Sequence, residues 1–165
     1  MMHPTWELPV EKAALVLMPC PGTKDVSLFD SLTQLKASGV SVIVSAITRE
    51  EMEAKQVEQL GCTAQALGMM WIHLPIEDDS VPDELFTEHW PTVSPQLRSV
   101  LKRGDKVAIH CMGGSGRTGL LAGHLLLDIG WPLEQCIERI QALRPGAFTK
   151  AEQRCYIEHV AGVIS

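Results

Sequence analysis

Short apolar runs alternate with segments of helical spacing along the chain. Ala14 to Met18 is apolar throughout and is stopped by Pro19, Pro21 and Gly22, which predicts a buried strand entering a turn. From Ser27 to Ser38, leucines recur at 28, 32 and 35, and Gly39 follows as a helix end. VSVIVSAI, residues 40–47, predicts a central strand. Thr48 and Glu51 stand in capping-box spacing, which predicts a helix running through Leu60 and ended by Gly61. Trp71 to Ile76 predicts another short strand, and the polar EDDSVPDE behind it a surface loop. Residues 83–103 have helical spacing, but Pro91 and Pro95 each remove a backbone donor, so a bend or split is expected. KVAIHC, residues 106–111, predicts a buried strand. Residues 116–130 are apolar almost all round, as in a helix packed centrally on a sheet. Two further helices are expected, one starting at Pro132 and one near Thr149.

Strands separated by helices predict an α/β fold, with a central, mainly parallel sheet and helices on both faces. Residues 1–165 are expected to form one domain, because this length suits a single core. Ligands of such sheets bind at the carboxyl ends of the strands, which directs attention to the loop after Cys111.

Composition narrows the function. A net charge of -6 argues against a nucleic-acid or anionic-membrane surface, so an anionic ligand must meet a local positive site. Mean hydropathy is only +0.08 and no apolar run approaches a membrane span. With no secretory signal recognisable, a cytoplasmic location is expected. Five irregularly spaced cysteines without a Cys-x-x-Cys pair predict neither a disulfide framework nor a zinc site. The histidines show no paired ligand spacing; His124, on the apolar helix, is expected to be a satisfied core residue. The four tryptophans are expected to pack, with Trp71 near the acidic loop and Trp90 bordering the cleft.

The chemistry concentrates in IHCMGGSGRTG. Gly113, Gly114 and Gly116 free the backbone so that, with Met112 and Ser115, successive amides can turn inward around one anion. A helix amino terminus near Gly116 adds its positive end, and Arg117 supplies a planar fork matched to two phosphate oxygens. Donors that bind a dianion also favour a thiolate on Cys111. Thr118 can donate its hydroxyl to that sulfur, and His110 can fix the loop through its imidazole. A P-loop nucleotide site is excluded, because the loop has no lysine.

HCMGGSGRTG resembles the signature loop of cysteine-dependent protein tyrosine and dual-specificity phosphatases. LMPCPGTKDVS, PIEDDSVPDEL and IHCMGGSGRTG, in this order, are similar to the kinase-associated phosphatase group, over roughly Leu17 to His159. The resemblance implies that Cys111 attacks phosphorus, that Arg117 and the loop amides bind the phosphoryl oxygens, and that neither metal nor cofactor is needed. It implies a general acid on the segment Pro75-Ile76-Glu77-Asp78: Asp78 by its place after Pro75 and before Pro82, with Asp79 as the alternative. It further implies that Gln153, in RPGAFTKAEQ, positions the hydrolytic water, with a surface glutamine as the plain alternative.

The absence of lysine in the loop disfavours a multiply charged lipid headgroup. The short chain carries no tyrosine-bearing recognition loop, so a shallow site for phosphotyrosine and phosphoserine or phosphothreonine is expected. The resemblance implies a phosphoprotein substrate as partner, with a protein kinase as a candidate; no nucleic acid or membrane partner is expected, and the chain is expected to be a monomer. Three rival readings place a cysteine or an anion in a similar cradle: a rhodanese-like sulfurtransferase, an arsenate reductase, and a catalytically idle phosphoprotein-binding domain.

Overall fold

The computed structural model describes residues 2–164. In chain order the elements are β1 (Trp6–Val10), β2 (Ala13–Met18), α1 (Leu28–Ala37), β3 (Val40–Ser45), α2 (Arg49–Ala54), α3 (Leu60–Ala66), β4 (Met70–His73), α4 (Glu84–Lys102), β5 (Lys106–His110), α5 (Gly116–Ile129), α6 (Leu133–Leu143) and α7 (Ala151–Ile164). The sheet order is β1-β2-β5-β3-β4. β2, β5, β3 and β4 run parallel, so the expected α/β architecture holds. All six residues of β2 are buried and four of five in β5, as strands covered on both faces require. α1 lies on β3 and α3 on β4, while α4 and α5 cover β2, β5 and each other, with α6 and α7 outside α5.

Four details differ from the sequence-based expectation. β1 pairs antiparallel with β2 at the sheet edge; its Pro9 is tolerated there because an edge strand has one unpaired side. The helix expected from Thr48 to Leu60 is two helices. α2 closes in a Schellman arrangement, with Gln56 at φ 58°, Gln56 N–H donating to Glu53 O and Val57 N–H to Met52 O. Gly61 is no helix end: it lies inside α3, where a Cβ would sit 2.5 Å from the Trp71 ring, so helix and strand could not approach. α4, expected to bend or split, remains one continuous helix. Pro91 and Pro95 both lie on its exposed face, where water can serve the carbonyls they leave unbonded. The strand expected to reach Ile76 stops at His73, although Leu74 and Ile76 still donate to Ser45 and Ala46 carbonyls.

The topology brings four loops to the carboxyl edge of the parallel strands. They follow β2, β3, β4 and β5. His110, last in β5, has Met18 and Ser45 as its register partners.

Candidate active site

The loop from Cys111 to Ser115 joins the central strand to the buried helix α5. Its five carbonyls all have donors. Cys111 O accepts from His110 Nδ1 (2.9 Å), Met112 O from Cys20 N (3.0 Å), Gly113 O from Arg144 Nη2 (2.8 Å), Gly114 O from Arg144 Nε (3.0 Å) and Ser115 O from Gly119 N (2.7 Å). A trans peptide points its N–H opposite its C=O, so carbonyls engaged on the outside turn the following amides toward the cleft. One of these amides, Gly114 N–H, donates to Cys111 Sγ at 3.2 Å, and the Thr118 hydroxyl donates to the same sulfur at 3.1 Å. Gly114 has φ 82°, and a Cβ there would lie 2.5 Å from the Met18 carbonyl carbon; only glycine lets the loop back onto β2.

Arg117, the second residue of α5, is 3% exposed. Its guanidinium forms a two-pronged pair with Glu51, Nη1 to Oε1 at 2.6 Å and Nη2 to Oε2 at 2.9 Å, and Nη1 also donates to Ile76 O at 2.9 Å. Burial works against the charge on both partners. Their mutual hydrogen bonds and attraction outweigh it, holding the Glu51 carboxyl below its ordinary range and Arg117 above its own. Glu51 also accepts from Thr48 N–H at 3.0 Å, so the capping box that starts α2 aims the carboxylate which fixes the arginine.

His110 is fully buried, and its tautomer follows from its neighbours. A carbonyl can only accept, so Nδ1 carries the proton toward Cys111 O; Nε2 then accepts from the Ser45 hydroxyl (2.6 Å), which itself accepts from Trp71 Nε1–H (2.9 Å). Burial pushes the His110 imidazole down to about 4. It is therefore a neutral support for the loop. On the outer side Arg144 stacks over Trp6, 3.8 Å from the ring centroid, while donating to Gly113 and Gly114 carbonyls.

Asp78, Asp79, Cys111, Met112, Gly113, Ser115, Gly116, Arg117, Gly146, Lys150 and Gln153 line one cleft of about 260 Å³. The two aspartates have different neighbours. Asp78 Oδ1 lies 3.4 Å from Arg117 Nη2, whereas Asp79 Oδ1 is paired with Lys150 Nζ at 2.5 Å. Gln153 is buried with Oε1 unpartnered, and its amide nitrogen would lie 3.1 Å from a Cβ at position 116, so Gly116 makes room for it.

The residues singled out from sequence thus converge. Glu51, Ser45, Trp71, Trp6, Arg144 and Lys150 were not assigned to the site. Glu51 alone carried a usable signal, its capping-box spacing. Trp90 stands elsewhere, with Phe86 and His124, its indole and Ser94 Oγ both donating to Asp128 Oδ2 at 2.7 Å. His124 is not the satisfied core residue expected: its Nδ1 is buried without a partner. Cys20, beside the loop, is a thiol pushed up to about 12, first by burial and then by the nearby Cys111. Among the described residues no His, Cys, Asp and Glu side chains cluster as metal ligands, and no helix is long and apolar enough to cross a membrane.

Comparison with known proteins agrees with this geometry. The crystal structure of kinase associated phosphatase (KAP), with serine replacing its catalytic-site cysteine, superposes with a TM-score of 0.87 at 27% identity, covering 99% of this chain and 97% of that one. Cyclin-dependent kinase inhibitor 3 of Homo sapiens is 33% identical over 127 residues, 75% of this chain and 58% of that protein. Tyrosine-protein phosphatase CDC14 of Saccharomyces cerevisiae is 32% identical over 94 residues, 56% of this chain and 16% of that protein. The chain thus spans only part of these curated relatives. The family model for "Polymorphic toxin system, DSP-PTPase phosphatase" matches residues 18–130. The chain belongs to this DSP-PTPase phosphatase family and is similar to its kinase-associated phosphatase group.

Proposed function

We propose that the protein hydrolyses phosphate monoesters of proteins, phosphotyrosine and phosphoserine or phosphothreonine, through a phosphocysteine on Cys111. The Cys111 thiolate attacks phosphorus in line; the S–P bond forms, the P–O bond to the substrate breaks, and the Asp78 carboxyl gives its proton to the departing oxygen. Water, oriented by Gln153, then attacks the phosphocysteine, gives a proton to the Asp78 carboxylate and releases inorganic phosphate and the thiolate. Arg117 and the amides of residues 112–116 bind the nonbridging oxygens in both steps, already oriented before charge develops. Thr118 hydrogen-bonds the sulfur when it departs, and His110 holds the loop without touching substrate.

The observation that carries this reading is Cys111 Sγ receiving the Gly114 N–H and Thr118 O–H at the floor of a cleft walled by Arg117. The choice of Asp78 over Asp79 is supported by their partners: Asp78 faces the arginine, and Asp79 is committed to Lys150. The substrate is a phosphoprotein, a protein kinase is the candidate partner, and the protein acts as a cytoplasmic monomer. Hydrolysis of p-nitrophenyl phosphate without added metal tests the activity. We expect vanadate inhibition and a loss on the order of 10⁴-fold in Cys111→Ser. Turnover of thiosulfate or arsenate instead would move the assignment to a sulfurtransferase or a reductase, and no turnover at all to a binding domain.

A further inference from the structure

The Asp79–Lys150 pair spans two segments that each adopt something locally unfavourable. Asp79 sits at φ 59°, in the left-handed region. Lys150 occupies the N-cap of α7, since its carbonyl accepts from Arg154 N–H at 3.0 Å. A lysine there offers no acceptor to the open amides and sets a positive charge against the positive end of the helix. Neither choice helps its own element. Together they place a carboxylate and an ammonium 2.5 Å apart across the mouth of the cleft. The backbone of Asp79 in turn donates to Asp78 Oδ1 at 3.0 Å, so the residue held by Lys150 also orients the neighbouring carboxyl toward Arg117.

We infer that Lys150 is a positioning residue for the acid step. It draws the loop of residues 77–80 over the cleft through Asp79 and thereby sets where Asp78 delivers its proton. The inference rests on the phosphatase reading above and adds a residue to it. Both side chains are about half exposed or more, 50% for Lys150 and 67% for Asp79, and such pairs add little to stability. The effect therefore belongs to catalysis rather than to folding.

The test compares kcat/KM, which reports the step that expels the leaving group, on phenyl phosphate, whose poor leaving group needs the acid, and on p-nitrophenyl phosphate, whose leaving group needs it little. Lys150→Met and Asp79→Asn should each lose about five- to tenfold on phenyl phosphate and only about two- to threefold on p-nitrophenyl phosphate, within the span of general-acid effects. The reversed pair, Lys150→Asp with Asp79→Lys, should regain part of the phenyl phosphate loss. Equal losses on both substrates, or none, would overturn the role of Lys150. If Asp78→Asn remains leaving-group sensitive while Lys150→Met does not, the latch fails and the phosphatase reading stands; an inactive wild type would remove that reading itself.

Discussion

The loop of residues 111–117 and the loop of residues 74–83 face each other across Arg117 but are held in opposite ways. In the first, each carbonyl from Cys111 to Ser115 has a donor and Cys111, Arg117 and Thr118 are all at most 3% exposed. In the second, Asp78 and Asp79 are 73% and 67% exposed, their side chains held by ion pairs and by the one hydrogen bond from Asp79 N–H to Asp78 Oδ1. Oxyanion binding gains from donors that need no rearrangement when charge appears. Proton delivery must follow a leaving group whose position varies with substrate, so looser support there is physically reasonable. On the proposed mechanism, the closely supported loop is the one that binds charge and the exposed loop is the one that moves a proton.

The largest expected effect probes the rigid side. His110 titrates at about 4 in the folded protein, below the ordinary 6.5. Between those values the unfolded chain binds a proton that the native chain refuses, so stability is intact above 6.5 and falls as pH drops toward 4. The full loss is about 3 kcal/mol. Urea unfolding of wild type and His110→Gln from pH 7 to 4.5 measures it; parallel pH slopes for the two proteins would refute a neutral buried His110.

Next in size, the adjustable side should respond in turnover and not in stability. Asp78→Asn is expected to lose about 10²-fold in kcat/KM on phenyl phosphate and far less on p-nitrophenyl phosphate, with an unchanged melting temperature. A comparable melting shift would mean that the second loop is as structural as the first. The smallest effect falls where the loops join. Glu51→Gln keeps the shape but removes the charge opposite a buried guanidinium, and partial exposure of Glu51 limits the cost to about 2 kcal/mol. Arg117 should then bind vanadate more weakly, and calorimetric titration would show whether its aim depends on Glu51.

The signature loop was legible because its parts are contiguous: strand, cysteine, glycines, arginine and helix follow one another within a dozen residues. The supporting residues were not. Glu51 lies 66 positions from Arg117, Ser45 65 from His110, and Arg144 30 from Gly114. Each was visible only as something local, a cap, a strand residue or a turn. The same limit explains the misjudged elements. Gly61 has the appearance of a helix end until the Trp71 ring is known to press on it. Gln56 ends a helix in a conformation usually assigned to glycine.

Sequence alone determined what depends on neighbours along the chain, the α/β alternation and the candidate nucleophile with its anion cradle, and the family resemblance added the aspartate pair proposed to supply the acid. Tertiary structure decided which aspartate faces the arginine, which carboxylate holds that arginine, and how the cradle's carbonyls are turned away from the cleft. These outcomes depend on distances between segments far apart in the chain. Such distances are set by packing of β2, β3 and β5 against the helices, and no local pattern of residue types encodes them.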